Sequence, residues 1–226
     1  MNNAPLDRWI EAFETGRLHE QLEHYYGGEA VGKWQLRYLE ALQAFAAHFG
    51  SDGEVVIARC PGQMNIMGMH IDYGGMPSIR LSVRGADTIT IARAGKSDRV
   101  RMRSILEVPG EPADGFAPLE FDLRDLIPAA NVGTRQALMD YAGKVCSERE
   151  ARQGSAVVDD WSILPPGQLT FLESYFRGRR KSRGLDARLW SNVSPSGGLS
   201  SSSALVISTA DAARGVARFL EGKRFL

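Results

Sequence analysis

Cysteine is scarce in this sequence. Cys60 and Cys146 are its two thiols, and it has four histidines in 226 residues. That set makes neither a disulfide framework nor a Cys/His metal motif, and a reducing, cytoplasmic setting is expected. An excess of charge is missing too. Its 27 basic and 27 acidic residues cancel, which removes the long-range attraction that nucleic acids and anionic membranes exert on basic proteins. No apolar run reaches membrane-spanning length. The opening "MNNAPLDRWIEAFETGRLHE" mixes charged and apolar residues and lacks the apolar core of a signal peptide. There is no internal repeat and no low-complexity linker. What remains is an apolar fraction of 43%, enough to build the core of one large domain or two small ones.

The apolar residues that are present change period along the chain. Leu6, Trp9, Ile10 and Phe13, then Leu18, Leu22 and Tyr25, recur at helical spacing until Gly27-Gly28. Trp34, Tyr38, Leu42, Phe45 and Phe49 step by three and four up to Gly50, which predicts a second helical segment. From "EVVIARC" onward the pattern shortens. "SIRLSV", "DTITIAR" and "RVRMRS" alternate apolar and polar residues, as half-exposed antiparallel strands do, and "LEFDLRDL" adds a strand and a turn. "EVPGEPADGFAP" reads as a loop. Helices are expected from Thr134 to Arg152, across "LPPGQLTFLESYFRGRRKSRG", and from Ser200 to Leu220, with a strand at "LDARLWSNV". Helices, antiparallel strands, helix, strand, helix is an α+β order rather than a doubly wound one.

Two stretches stand out. "CPGQMNIMGMHIDYGG", Cys60 to Gly75, sets His70 and Asp72 two apart in a glycine-rich segment. A carboxylate and an imidazole held this way accept and donate hydrogen bonds to neighbouring hydroxyls, as a polyol ligand requires. The plainer alternative is a core histidine and a turn-capping aspartate. "NVSPSGGLSSSSALVISTA", Asn192 to Ala210, joins a strand to a helix through glycines and four serines. Glycines admit a close ligand, and the helix start offers free amides and a partial positive charge, so the pattern suits a phosphate. It lacks the Gly-Lys-Ser/Thr of a Walker A loop. A simple helix cap is the alternative here. Elsewhere, the basic run Arg177–Arg183 reads as a solvated helix end. His19, His24 and His48 have no metal-ligand spacing, and Cys60 reads as a small buried residue.

In this order the two stretches resemble the GHMP kinases, and within them the galactokinase branch. Pro61–Gly75, "PGQMNIMGMHIDYGG", is similar to the first motif of that branch, and "PSGGLSSSSA", from Pro195, is similar to its second, with altered spacing and one extra serine. The similarity extends from about Tyr38 onward and is weakest over Asn131–Trp161. It implies an α+β fold, the ribosomal protein S5 domain 2-like N-terminal domain of a two-domain kinase, with an antiparallel or mixed sheet and helices on one side. Residues 1–226 would be that domain, with a helical lead-in at 1–50. It also implies transfer of the γ-phosphoryl group of ATP to a hydroxyl of a monosaccharide or sugar derivative, with Mg2+ as the metal. Gln63, Met69, His70, Asp72 and Tyr73 would then line the substrate. Gly197, Gly198, Leu199, Ser200, Ser201, Ser202 and Ser203 would wrap the nucleotide, with Ser201 or Ser202 on the magnesium.

Three departures qualify that expectation. Gln63 stands where the family has an arginine beside the reacting groups, and a missing cation of that kind costs about 10²–10³ in rate by analogy with a lost oxyanion donor. Met69 stands where the family has a glutamate that reads the sugar. The family's aspartate base and its third, glycine-rich motif follow the serine loop at a distance, whereas this chain ends 22 residues after Ala204. No catalytic base is assigned. The expected partners are a sugar and either a C-terminal half or another chain that completes the site, with no nucleic acid and no membrane. The alternative function is a sugar- or nucleotide-binding relative that acts without turnover as a sensor or partner subunit.

Overall fold

The long helix α3 (Val31–Phe49) carries the apolar stripe that its spacing predicts. Trp34, Tyr38, Ala41, Leu42 and Phe45 are all buried along one side, and the helix stops at Gly50, whose N–H donates to the Ala46 carbonyl. α1 (Leu6–Glu14) and α2 (His19–Tyr26) pack on the same side through Leu6, Phe13, Leu22 and Tyr26. Phe13 stacks on Tyr38 at 4.9 Å and Tyr26 on Trp34 at 3.9 Å. The computed structural model describes residues 3–68, 74–107, 118–126, 134–153, 161, 164–176, 183–195 and 197–220.

Among the described residues six strands form one sheet: β1 (Asn3–Pro5), β2 (Glu54–Met67), β3 (Ile79–Ala94), β4 (Arg99–Leu106), β5 (Leu119–Asp122) and β6 (Leu185–Ser191). Their order is β1-β2-β3-β6-β4-β5. Neighbours pair antiparallel except β4 and β6, which run parallel. The short helix α4 (Leu123–Leu126) follows β5. α5 (Arg135–Gln153), α6 (Leu164–Phe176) and α7 (Ser201–Leu220) complete the described elements.

Alternation along the strands gives the sheet two apolar faces. Val55, Ile89, Ile91 and Trp190 face α1–α3. Val56, Ala58, Ala92, Val100, Met102, Ala187 and Leu189 face the opposite way, toward Leu123 of α4, Leu169 of α6 and Ala212 and Val216 of α7. The α+β class and the mixed sheet agree with expectation. The helices expected on one side are α4, α6 and α7, and the lead-in helices close over the other face, so the sheet is the middle of three layers. α7 approaches β2 closely at Gly215, where an added Cβ would lie 2.9 Å from a Val56 methyl.

A buried ion network ties the layers together. Arg93 on β3 donates through Nε to Asp186 on β6 at 3.2 Å, and its Nη atoms reach the backbone carbonyls of Phe49, Gly50 and Asp52. It therefore caps the free carbonyls that end α3. Arg101 on β4 grips the same Asp186 at 2.7 and 2.8 Å. One carboxylate, 1% exposed, thus joins β3, β6 and β4.

Two expected strands prove to be one. "SIRLSV" and "DTITIAR" are halves of β3, which passes from pairing Asp87 with Pro61 to pairing Ser82 with Gln63. Residues 83–86 fall out of one-to-one register, a bulge that bends the ribbon without ending it. β1 was not anticipated from the sequence, since three residues are too few to show a period.

Candidate functional site

The first unusual stretch begins as strand, not loop. Cys60 to Met67 is the distal half of β2, which carries the ribbon beyond the sheet. Gly62 sits at the bulge and is buried. A Cβ there would lie 3.3 Å from the Leu199 carbonyl oxygen and from a Val193 methyl, and 3.4 Å from the Ala86 carbonyl oxygen. A side chain there would press the three segments apart by a few tenths of an ångström.

The second stretch docks at that same bulge. Asn192, just past β6, accepts the Asp87 N–H through Oδ1 at 2.7 Å and donates through Nδ2 to the Gly85 carbonyl at 2.8 Å. Its own N–H reaches the Asp87 carbonyl at 3.2 Å. Seven residues later the Leu199 carbonyl accepts the Gln63 N–H at 2.9 Å. The serine loop is thus fastened at one end to β3 and at the other to β2. Between these points Gly197 and Gly198 are exposed.

The loop's backbone turns sharply at two left-handed residues. Gly198 has φ +74° and Ser200 has φ +55°, the one described non-glycine residue with positive φ. Left-handed residues alternating with ordinary ones turn successive N–H groups toward one concavity. The strained Ser200 leads directly into α7, whose first N–H groups, those of Ser201 to Ser203, lie ahead of any carbonyl the helix can supply. Ser202 and Ser203 are exposed and Ser201 is half-buried.

Beneath the bulge, on the side of the lead-in helices, lies a charged cluster that sequence reading missed. Asp87 is fully buried and meets Arg59 at 2.8 Å. The Arg59 Nε donates to the Tyr26 hydroxyl at 3.0 Å, the Tyr26 and Tyr38 hydroxyls are 3.0 Å apart, and the guanidinium lies over the Tyr25 ring. Burial pushes the Asp87 carboxyl above the usual carboxylate range, with Arg59 pulling the other way. Burial also raises both phenols well above their ordinary value, so they stay neutral. The one hint in the sequence was a charge, Asp87, at the start of the alternating stretch "DTITIAR". Asn192 was likewise legible only as a polar residue at a strand end, the type that caps turns.

Of the expected site residues, Gln63 and Leu199 meet at the bulge, Gly197, Gly198 and Ser200 adjoin Leu199 in the same loop, and Ser201 to Ser203 open α7. Met69, His70, Asp72 and Tyr73 lie outside the described residues. So do most of the basic run 177–183 and the loop at 108–117. Cys60, expected to be buried, is half-buried with a free thiol, and burial pushes that thiol's pKa upward. Asp211 on α7 is paired with Arg214 at 3.2 Å. Among the described residues no group of three or more His, Cys, Asp or Glu gathers as a metal site, and no helix is long and apolar enough to cross a membrane.

Against known structures, this arrangement is similar to part of a small-molecule kinase fold. The particular likeness is to galactokinase: the galactokinase galactose-binding signature matches residues 43–85. Lactococcus lactis galactokinase, in its complex with galactose, superposes with a TM-score of 0.50 at 24% identity over 76% of this chain. Methanococcus jannaschii mevalonate kinase covers the same 76% at 16% identity with a TM-score of 0.45. The chain spans 35% of the first enzyme and 43% of the second. No curated protein sequence matches it significantly.

Proposed function

We propose that this chain provides the sugar- and nucleotide-facing half of an ATP-dependent sugar kinase. The observation that carries the reading is the junction at Gln63 and Leu199. It makes the galactose-signature strand and the serine loop neighbours through a single backbone hydrogen bond. A hydroxyl held by the first segment and a phosphate held by the second would lie within reach of one another, which is what phosphoryl transfer needs most.

In this reading the N–H groups of Gly198 to Ser203 hold the phosphates of ATP, and the Ser201 or Ser202 hydroxyl holds Mg2+. Neither hydroxyl has a hydrogen-bond partner among the described residues, so both fit a ligand role. The metal supplies charge neutralisation on the phosphates. His70, Asp72 and Tyr73 hold the sugar, and Met69 selects one without a strong hydrogen-bonding demand at that end. Gln63 orients by hydrogen bonding where an arginine would neutralise charge. Completion of the site falls to a further domain or another chain. The exposed apolar side chains of the distal ribbon, Met64, Ile66, Met67, Ile79 and Leu81, are between 45% and 55% accessible and suit such a cover.

Thermal unfolding with Mg-ADP, Mg-ATP and a sugar panel tests this. A specific ligand at a hundred times its Kd raises the midpoint by roughly 5–10 °C for a chain of this size. Stabilisation by both a nucleotide and a sugar is expected. No shift with any nucleotide ends the reading. Gln63 and Met69 favour a second one, a binding relative without turnover. Binding of both ligands with no ADP release, in the presence of whatever completes the site, selects it.

A further inference from the structure

We infer that Asn192 is a positioning residue. It sets the serine loop in register with the strand that opens the first motif before any ligand arrives, so that the strand and the loop behave as one rigid unit. The functional consequence rests on the nucleotide reading above. The mechanical claim does not.

The argument is geometric. Asn192 makes three hydrogen bonds to β3, two from its side chain and one from its backbone, at 2.7, 2.8 and 3.2 Å. They fall on Gly85, inside the segment where β3 leaves one-to-one pairing with β2, and on Asp87 at its edge. A bulge has unpaired backbone groups and is the part of a ribbon most free to slip. Here the amide side chain supplies both the acceptor and the donor that the bulged strand lacks, and so fixes it. Asp87 is in turn held from below by Arg59, whose strand continues through Pro61 to Gln63. Gln63 then donates to Leu199 at the far end of the loop. The result is a closed circuit: Asn192, Asp87, Arg59, Gln63, Leu199 and back along the loop. Opening it at Asn192 should loosen it at Gln63, on the opposite side. A residue that merely capped its own turn would not have that effect.

Aspartate or alanine at position 192 breaks the circuit differently. Alanine removes both side-chain bonds. Aspartate keeps the acceptor for Asp87 N–H but sets a carboxylate oxygen against the Gly85 carbonyl. Asn3→Ala is the control. It deletes a comparable side-chain bond, to the Gly215 carbonyl at 3.3 Å, away from the loop.

The experiment is native-state amide exchange on the whole chain, read at Asp87 and Gln63, with unfolding midpoints measured in parallel. Asn192→Ala is expected to speed exchange at both amides tenfold or more, and Asn192→Asp by a lesser factor. Asn3→Ala should change neither. Faster exchange at Asp87 with Gln63 unchanged overturns the proposal, because Asn192 is then a local cap. Equal acceleration of every slow amide overturns it too, because the loss is then of global stability; Asn192→Asp serves as the milder variant if the alanine form fails to fold. Mg-ADP titration of the same proteins separates the two readings. If the wild type binds and Asn192→Ala binds tenfold more weakly with Asn3→Ala unaffected, positioning acts on the ligand. If the wild type does not bind, the nucleotide reading falls, and the two amides still decide the clamp.

Discussion

Ser200 holds a backbone conformation that L-residues avoid, with φ +55°. Strain of this kind costs on the order of 1–3 kcal/mol and persists where something else needs the geometry. Ser200→Gly is therefore expected to raise unfolding stability by about 1 kcal/mol in urea titration while leaving the direction of the loop amides unchanged. A loss of stability would mean that the serine side chain, not the backbone, is what the position requires. Asp87 makes a second prediction at this scale. Burial raises its pKa in the folded chain, so the native state holds that proton more tightly than the unfolded state does. Between the ordinary carboxylate value of about 4 and the raised folded value, stability contributed by this group must fall as pH rises. Urea midpoints of wild type and Asp87→Asn across that range should diverge. The asparagine variant should show the flatter fall.

At the scale of elements, Arg93 is the fastening of α3. It closes the helix end at Phe49 and Gly50 and neutralises Asp186. Arg93→Ala leaves a buried carboxylate with Arg101 alone and reopens the α3 carbonyls, so a loss of about 3–5 kcal/mol is expected from chemical denaturation. A loss below 1 kcal/mol would show that Arg101 alone satisfies Asp186. This is also the scale at which the sequence was most readable. The α3 stripe, the alternation of β4 and the strand-loop-helix of the second motif follow from local spacing, and local spacing is what periodicity records. The joining of two strands into β3, the pairing of Asp186 with arginines 93 and 101, and the seat of Asn192 on Gly85 are not local. Asn192 and Asp87 are 105 positions apart, and nothing in either neighbourhood announces the other. The loop between β6 and α7 could be anticipated from its glycines and serines alone. The device that fixes it to β2 and β3 could not.

For the molecule as a whole, the ribbon beyond the bulge is the exposed liability. Met64 lies opposite Leu81 and Met67 opposite Ile79, so their side chains form a cross-strand apolar ladder that is about half exposed. Strand edges of this kind recruit other chains. Light scattering over a concentration series should show reversible self-association of the wild-type chain. Leu81→Lys should remain monodisperse with an unchanged unfolding midpoint. A wild type that stays monomeric at every concentration would show that the ladder does not drive association by itself.

The parallel pairing of β4 with β6 has a temporal consequence. β6 lies between β3 and β4 in the sheet but follows β4 by nearly eighty positions in the chain. Until Leu185–Ser191 emerges from synthesis, the earlier strands can only form two separate ribbons, β1-β2-β3 and β4-β5, each with an open flank. The last strand to be made is the keystone, and contacts of such long sequence separation are slow to form. A nascent chain halted before Leu185 is thus a pair of half-sheets awaiting their middle, and that interval is when this protein most needs shelter from its neighbours.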